Sequence, residues 1–119
     1  MTLKECYEAM GGDYAGVSSR LPSEKMIQKF VLKFLGDGSY DLLCRSLEAQ
    51  NYEEAFRASH TIKGVCQNLN FVKLMDSSSK LTEALRNGWS DEAAALVDQV
   101  HADYKSTVSA IQAFQEGLV

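Results

Sequence analysis

Apolar residues recur at helical spacing from one end of this chain to the other, and a single proline interrupts them. Met26, Ile27, Phe30, Val31 and Phe34 form one stripe, and Tyr40, Leu43, Cys44 and Leu47 a second. Phe71, Leu74, Leu81 and Leu85 form a third, and Val97, Val100, Tyr104, Val108 and Ile111 a fourth. A period of three to four is that of an amphipathic helix, and the scarcity of turn dipeptides leaves little room for a many-stranded sheet. Start signals separate the stripes. Thr2 with Glu5 and Asn51 with Glu54 have capping-box spacing, Ser23 follows Pro22, and Ser90 precedes Asp91 and Glu92. Gly11-Gly12, Gly36-Asp37-Gly38 and Asn87-Gly88 mark stops. The spacing predicts helices over about 2–10, 23–35, 39–50, 52–69, 71–87 and 90–116, with a loop at about 11–22. Connections of a few residues force neighbours to run antiparallel. The expectation is therefore an all-α chain: one domain over 1–119, with an up-down four-helix bundle formed by the last four helices and additional helices before it. The bundle core runs over about 23–116, and the 23–35 helix extends or caps its first member. Apolar residues lie on two sides of the 23–35 helix, and core packing is the reading preferred over a partner groove. Asn70, between two helices, is placed to reverse the chain through the left-handed region, which asparagine tolerates.

Composition narrows the function. The 119 residues suffice for a core without staples, and 45% hydrophobic with 24% charged residues is ordinary for a globular protein. A net charge of −4 without a basic run argues against nucleic acid. No stretch reaches the length of a membrane span, and the first residues have no apolar signal core. Cys6, Cys44 and Cys66 are three and scattered, as in reduced thiols of a cytoplasmic protein, with Cys66 a small core residue.

Within Tyr52 to Leu69 a helical wheel places Ala55, Ser59, Cys66 and Leu69 within about 60° of Ile62, the buried stripe. His60 falls about 160° from Ile62, on the face shared by Glu53, Arg57, Gly64 and Gln67. A histidine in water, with Lys63 beside it and Gly64 one turn on, suits chemistry at the ring better than packing. An exposed imidazole with a pKa of roughly 6.5 is mostly unprotonated near neutral pH and nucleophilic. Lys63 can offset incoming negative charge, and Gly64 leaves access for a partner.

The run Phe56-Arg57-Ala58-Ser59-His60-Thr61-Ile62-Lys63-Gly64-Val65, followed by Asn68-Leu69-Asn70-Phe71 and Leu74, closely resembles the histidine-containing phosphotransfer (HPt) domain of bacterial phosphorelays. The resemblance is best over this helix and looser from Ser23 to the C-terminus. It implies that His60 accepts a phosphoryl group from a receiver-domain aspartate, or from a kinase, and passes it to a response regulator. It also implies that the chain needs no cofactor, the Mg²⁺ and most catalytic machinery belonging to the receiver. The chain shows no nucleotide loop and no kinase motif, which agrees with a carrier that is not itself an enzyme. Asn70 stands where the family commonly has glycine, and Thr82, near Ser78 and Ser79, where it often places a glutamine close to the histidine.

Other readings are open. A phosphoacceptor domain of a chemotaxis-type kinase, or a helical adaptor that is never phosphorylated, would share this architecture. A metal site at His60 is disfavoured, because Cys66 lies on the other face. His101, about 60° off its helix stripe, is expected to be an indifferent boundary residue. Phe56, Arg57 and Gln67 are candidates for docking; Phe56 fits a bundle edge equally well. Nothing compels oligomerisation, so a monomer is expected.

Overall fold

The protein is described by a computed structural model over residues 1–118. Its helices are α1 (Leu3–Met10), α2 (Tyr14–Arg20), α3 (Glu24–Lys33), α4 (Ser39–Glu48), α5 (Tyr52–Leu69), α6 (Val72–Leu85) and α7 (Asp91–Glu116), with a 3-10 turn over Phe34–Gly36. No strand occurs among the described residues.

The local signals explain most boundaries. Thr2 and Glu5 close a complete capping box on α1. Ser23, Asn51 and Ser90 each accept the backbone N–H three residues on, starting α3, α5 and α7. Asn70 ends α5 at φ 58° and ψ 38°, the left-handed geometry its position called for.

The loop expected at 11–22 is instead interrupted by α2. Three glycines and a nearby proline hide this helix in the sequence. Asp13 caps it by accepting the Gly16 N–H at 3.0 Å, and the packing of Val17, fully buried, holds it.

α5 is the central member of the bundle, packing against α4 on one side and α6 on the other, with α6 against α7. Leu43, Ala55, Ile62, Leu74, Leu81 and Ile111 meet in its core. α1 lies on α7, where Cys6 Sγ comes 3.5 Å from the Ala110 carbonyl oxygen. The 23–35 segment packs on α5 and α7 more than on α4, the first member of the bundle: the Phe34 ring stands edge-on to Phe71 at 5.3 Å and lies 6.0 Å from Tyr104. Core packing claims only part of that segment. Ile27, Val31 and Phe34 are buried, whereas Met26 and Phe30 are each 38% exposed.

The first helices clasp the turn that ends α5. Tyr7 donates its hydroxyl to the Leu69 carbonyl at 2.8 Å, and Arg20 donates to the Asn68 carbonyl at 2.7 Å and to the Asn70 side-chain oxygen. Asp13 N–H reaches the Asn70 carbonyl at 2.9 Å, and Lys73 N–H the Gly11 carbonyl at 3.2 Å. These bonds satisfy carbonyls that a helix C-terminus leaves without partners. A Cβ at Gly12 would stand 2.8 Å from the Tyr7 ring and 3.1 Å from the Asn70 carbonyl oxygen, so the clasp requires glycine there.

Cys6 and Cys66 are buried and Cys44 is exposed, all three as free thiols. No described helix is long and apolar enough to cross a membrane.

Candidate functional site

The wheel's division of α5 holds. Ala55, Ala58, Ser59, Ile62, Cys66 and Leu69 are buried, and His60 is exposed on the opposite side. Asn51 and the first-turn acids Glu53 and Glu54 support the start of this helix, and the clasped Asn70 turn fixes its end. The histidine therefore stands mid-helix on a segment pinned at both ends.

Gly64 lies one turn on from His60. A Cβ built there would meet nothing within 4 Å. Neither packing nor backbone geometry in this chain demands a glycine at that position, although glycine in a helix interior costs stability relative to alanine. Lys63 is half-buried beside His60, and Gln67 is exposed two turns along the same face.

α6 supplies the neighbours on one flank. Glu83 and Arg86 form a two-point pair, with Arg86 Nη2 donating at 2.8 Å and Nε at 3.1 Å. The Arg86 guanidinium lies 5.2 Å from the centre of the Phe56 ring, and that ring lies 6.4 Å from His60. The Glu83 carboxyl is held below the ordinary carboxylate range, first by its hydrogen bond with Arg86 and Arg86's charge, with smaller contributions from Lys63 and His60. Glu83 thus sits in the electrostatic field of the site. Neither Glu83 nor Arg86 was anticipated, because their proximity to His60 depends on how α5 and α6 align and no local pattern encodes it.

The docking candidates divide. Phe56 is half-buried beneath Arg86, which makes it a bundle-edge residue with one face toward the site. Arg57 turns back along its own helix, to Glu53 at 3.1 Å and Glu54 at 2.8 Å, and its charge is already answered. Gln67 remains open.

Thr82 does not take the place of an orienting glutamine. It is 1% exposed, with its hydroxyl 2.7 Å from the Ser78 carbonyl oxygen and 3.0 Å from Ser59 Oγ. Ser59 is itself buried and donates to the Phe56 carbonyl, so these hydroxyls form a small closed cluster between α5 and α6. Their role is to satisfy polar groups in the seam beneath His60.

Away from the site, the His101 Nδ1 is hydrogen-bonded to the Tyr40 hydroxyl, and Tyr40 stacks on Tyr104 at 3.8 Å. His101, expected to be indifferent, ties α4 to α7. No group of three or more His, Cys, Asp or Glu side chains among the described residues is placed to hold a metal ion.

The structure is thus an all-helical bundle with a solvent-facing histidine at the middle of its central helix. The family model of the Hpt domain matches residues 37–113, and the chain belongs to that family. The match takes in α4, α5, α6 and most of α7, and leaves α1, α2 and α3 outside. Comparison with curated proteins and with solved structures finds no match.

Proposed function

We propose that His60 is the phosphoacceptor of a phosphorelay, taking a phosphoryl group from the aspartate of a receiver domain and delivering it to a response regulator. The observation that carries this reading is the exposed His60 beside a glycine that the fold itself does not need, in a chain of the Hpt family. In the forward step the lone pair of the unprotonated ring nitrogen attacks phosphorus in line. The N–P bond forms as the aspartyl O–P bond breaks, and the electron pair returns to the carboxylate. The other ring nitrogen keeps its proton, so positive charge on the ring is offset by the phosphoryl oxygens. Lys63 adds a mobile ammonium beside those oxygens, and Gly64 lets the receiver surface approach closely. Such transfer depends mainly on positioning and charge stabilisation, which an exposed rigid helix supplies.

Hpt domains are phosphoryl carriers, and this chain acts as one, with Mg²⁺ held by the receiver and no nucleotide bound by the carrier. A cytoplasmic location follows from that role. The test is to incubate the chain with a phosphorylated receiver domain and Mg²⁺ and to follow acid-labile phosphate. Wild type takes up label and His60→Gln does not. Uptake that survives His60→Gln would move the site elsewhere, and a wild type inert toward every receiver and kinase of its own cell would end the reading.

A further inference from the structure

Three lysines run along the outer face of α3. With Lys29 set at zero and about 100° per residue, Lys25 and Lys33 fall within about 40° of it. On the Lys33 side, Met26 follows at about 60° and Phe30 at about 100°. Ile27 and Val31 lie about 160° from Lys29 and are buried, so the lysine face points away from the bundle. Lys25, Lys29 and Lys33 are all exposed, and none of them is in an ion pair among the described residues. Met26 and Phe30 remain 38% exposed beside them, a large apolar area to leave in water on a ten-residue helix. Glu24, the acid of this helix, falls about 140° from Lys29 on the opposite side. From Lys25 to Lys33 the chain therefore carries three cations and no acid, although its net charge is −4.

The shape and chemistry of this face narrow its occupant. An open depression on it is lined by Ser23, Lys25, Met26, Gln28, Lys29 and Phe30, all from α3 or its cap, with no wall from another element. A small ligand needs a concave site that buries most of its surface, and this face offers none. A second copy seated face to face would set lysines against lysines. A protein surface is a poorer match as well, because protein interfaces favour arginine and are depleted in lysine, and all three cations here are lysines. A broad anionic surface fits each of these features. Lysine stems lie along apolar surface while their ammonium groups reach outward to phosphates, and Met26 and Phe30 can enter the boundary between headgroups and acyl chains.

We propose that α3 is a peripheral contact with a bilayer rich in anionic phospholipid, lying on its surface without crossing it. Lys25, Lys29 and Lys33 meet the headgroup phosphates, and the Phe30 ring and the Met26 thioether enter just beneath them. Each lysine close to such a surface strengthens binding by about fivefold. Only two apolar side chains enter, so the contact is weak and reversible, and it orients the domain at a membrane without anchoring it there. Membrane contact of this kind is independent of the phosphotransfer reading, and α3 lies outside residues 37–113, the region matched by the family.

The experiment sediments the full chain with vesicles of phosphatidylcholine alone and of equal parts phosphatidylcholine and phosphatidylglycerol, at low salt. The wild type is expected to partition onto the mixed vesicles and to stay in solution with the neutral ones. Lys25→Gln/Lys29→Gln should lower the partition coefficient by about 25-fold, and Lys25→Arg/Lys29→Arg should retain it. Binding of the wild type should fall steeply at about 0.5 M salt, where screening is strong. Phe30→Ser should weaken binding to the mixed vesicles and leave its salt dependence in place. Thermal melts verify that these surface variants remain folded. A wild type that ignores the mixed vesicles, or that binds both kinds equally, overturns the inference. So does binding that survives the Gln and Ser variants unchanged, which would place the contact elsewhere on the chain. Absence of vesicle binding together with a salt-sensitive complex with a receiver domain, lost in the Gln variant, would give the face to a protein. A concentration-dependent dimer abolished by Phe30→Ser, again without vesicle binding, would give it to a second copy. Label uptake at His60 enters none of these readouts, so the membrane contact and the phosphotransfer reading stand or fall separately.

Discussion

Gly64→Ala separates what the fold needs from what the site needs. A methyl group at this position meets no atom within 4 Å, so it introduces no clash inside the molecule. The residue lies in the interior of α5, where alanine is favoured over glycine by about 0.5–1 kcal/mol. For a chain of 119 residues, an unfolding entropy of about 2.1 cal/mol/K per residue gives about 0.25 kcal/mol/K. The substitution should therefore raise Tm by about 2–4 °C. The same methyl projects toward a docking receiver one turn from His60, and a misplacement of about 1 Å at a reacting centre can cost up to roughly 100-fold. Transfer from a phosphorylated receiver is expected to slow by about 10- to 100-fold, and Gly64→Gln to slow it further. Calorimetry and single-turnover transfer on the same preparations test both halves. A stabilised variant that transfers at the wild-type rate would refute the access argument. A destabilised one would refute the account of an open helix position.

Lys63→Ala should slow transfer while leaving the thermal melt near that of wild type, because the side chain is half-buried at the surface and holds no ion pair among the described residues; an unchanged rate removes it from the mechanism. Thr82→Val deletes one hydroxyl from the Ser59–Thr82–Ser78 cluster and should cost about 1 kcal/mol, read as a Tm lower by about 4 °C, with transfer unaffected. A transfer defect without destabilisation would return Thr82 to the site. Burial pushes the Cys66 thiol up from 9.0 to about 12 and Cys6 to about 11, so the folded chain holds protons that the unfolded chain loses. Stability is fully present below pH 9 and falls as pH rises from there toward 12, which urea titrations at successive pH values measure; a rise over that window would contradict the burial of these thiols. In the native protein a thiol reagent should modify Cys44 quickly, and Cys6 and Cys66 only on unfolding.

The parts of this fold that were readable from sequence share a physical origin. The limits of α5, Tyr52 to Leu69, follow from a side-chain cap at one end and a residue suited to the left-handed region at the other, both local. The exposed placement of His60 follows from helical periodicity alone. What escaped depends on distant parts of the chain. α2 forms despite Gly16 because Val17 finds a buried place, and packing of that kind overrides propensity. Phe30 completes a stripe on the wheel yet stays exposed, because only Ile27, Val31 and Phe34 point at the bundle end. Glu83 and Arg86 join the site through the register of α6 against α5, and Thr82 is drawn away from it by the same register. His101 reads as indifferent until the Tyr40 hydroxyl is brought to it from α4.

The packing of α1 on α7 has a kinetic consequence. Cys6 and Ala110 stand 104 positions apart, so closing that contact restrains nearly the whole chain, and such a closure forms slowly compared with contacts between sequence neighbours. The hairpin-like pairs α4–α5, α5–α6 and α6–α7 require only short closures. Topology thus places the docking of α1 late in folding and makes it an early event in partial opening, with amide hydrogens of α1 exchanging ahead of those in α5. A helix that opens first, yet holds Leu69 through Tyr7, would transmit its release to the C-terminal turn of the histidine helix.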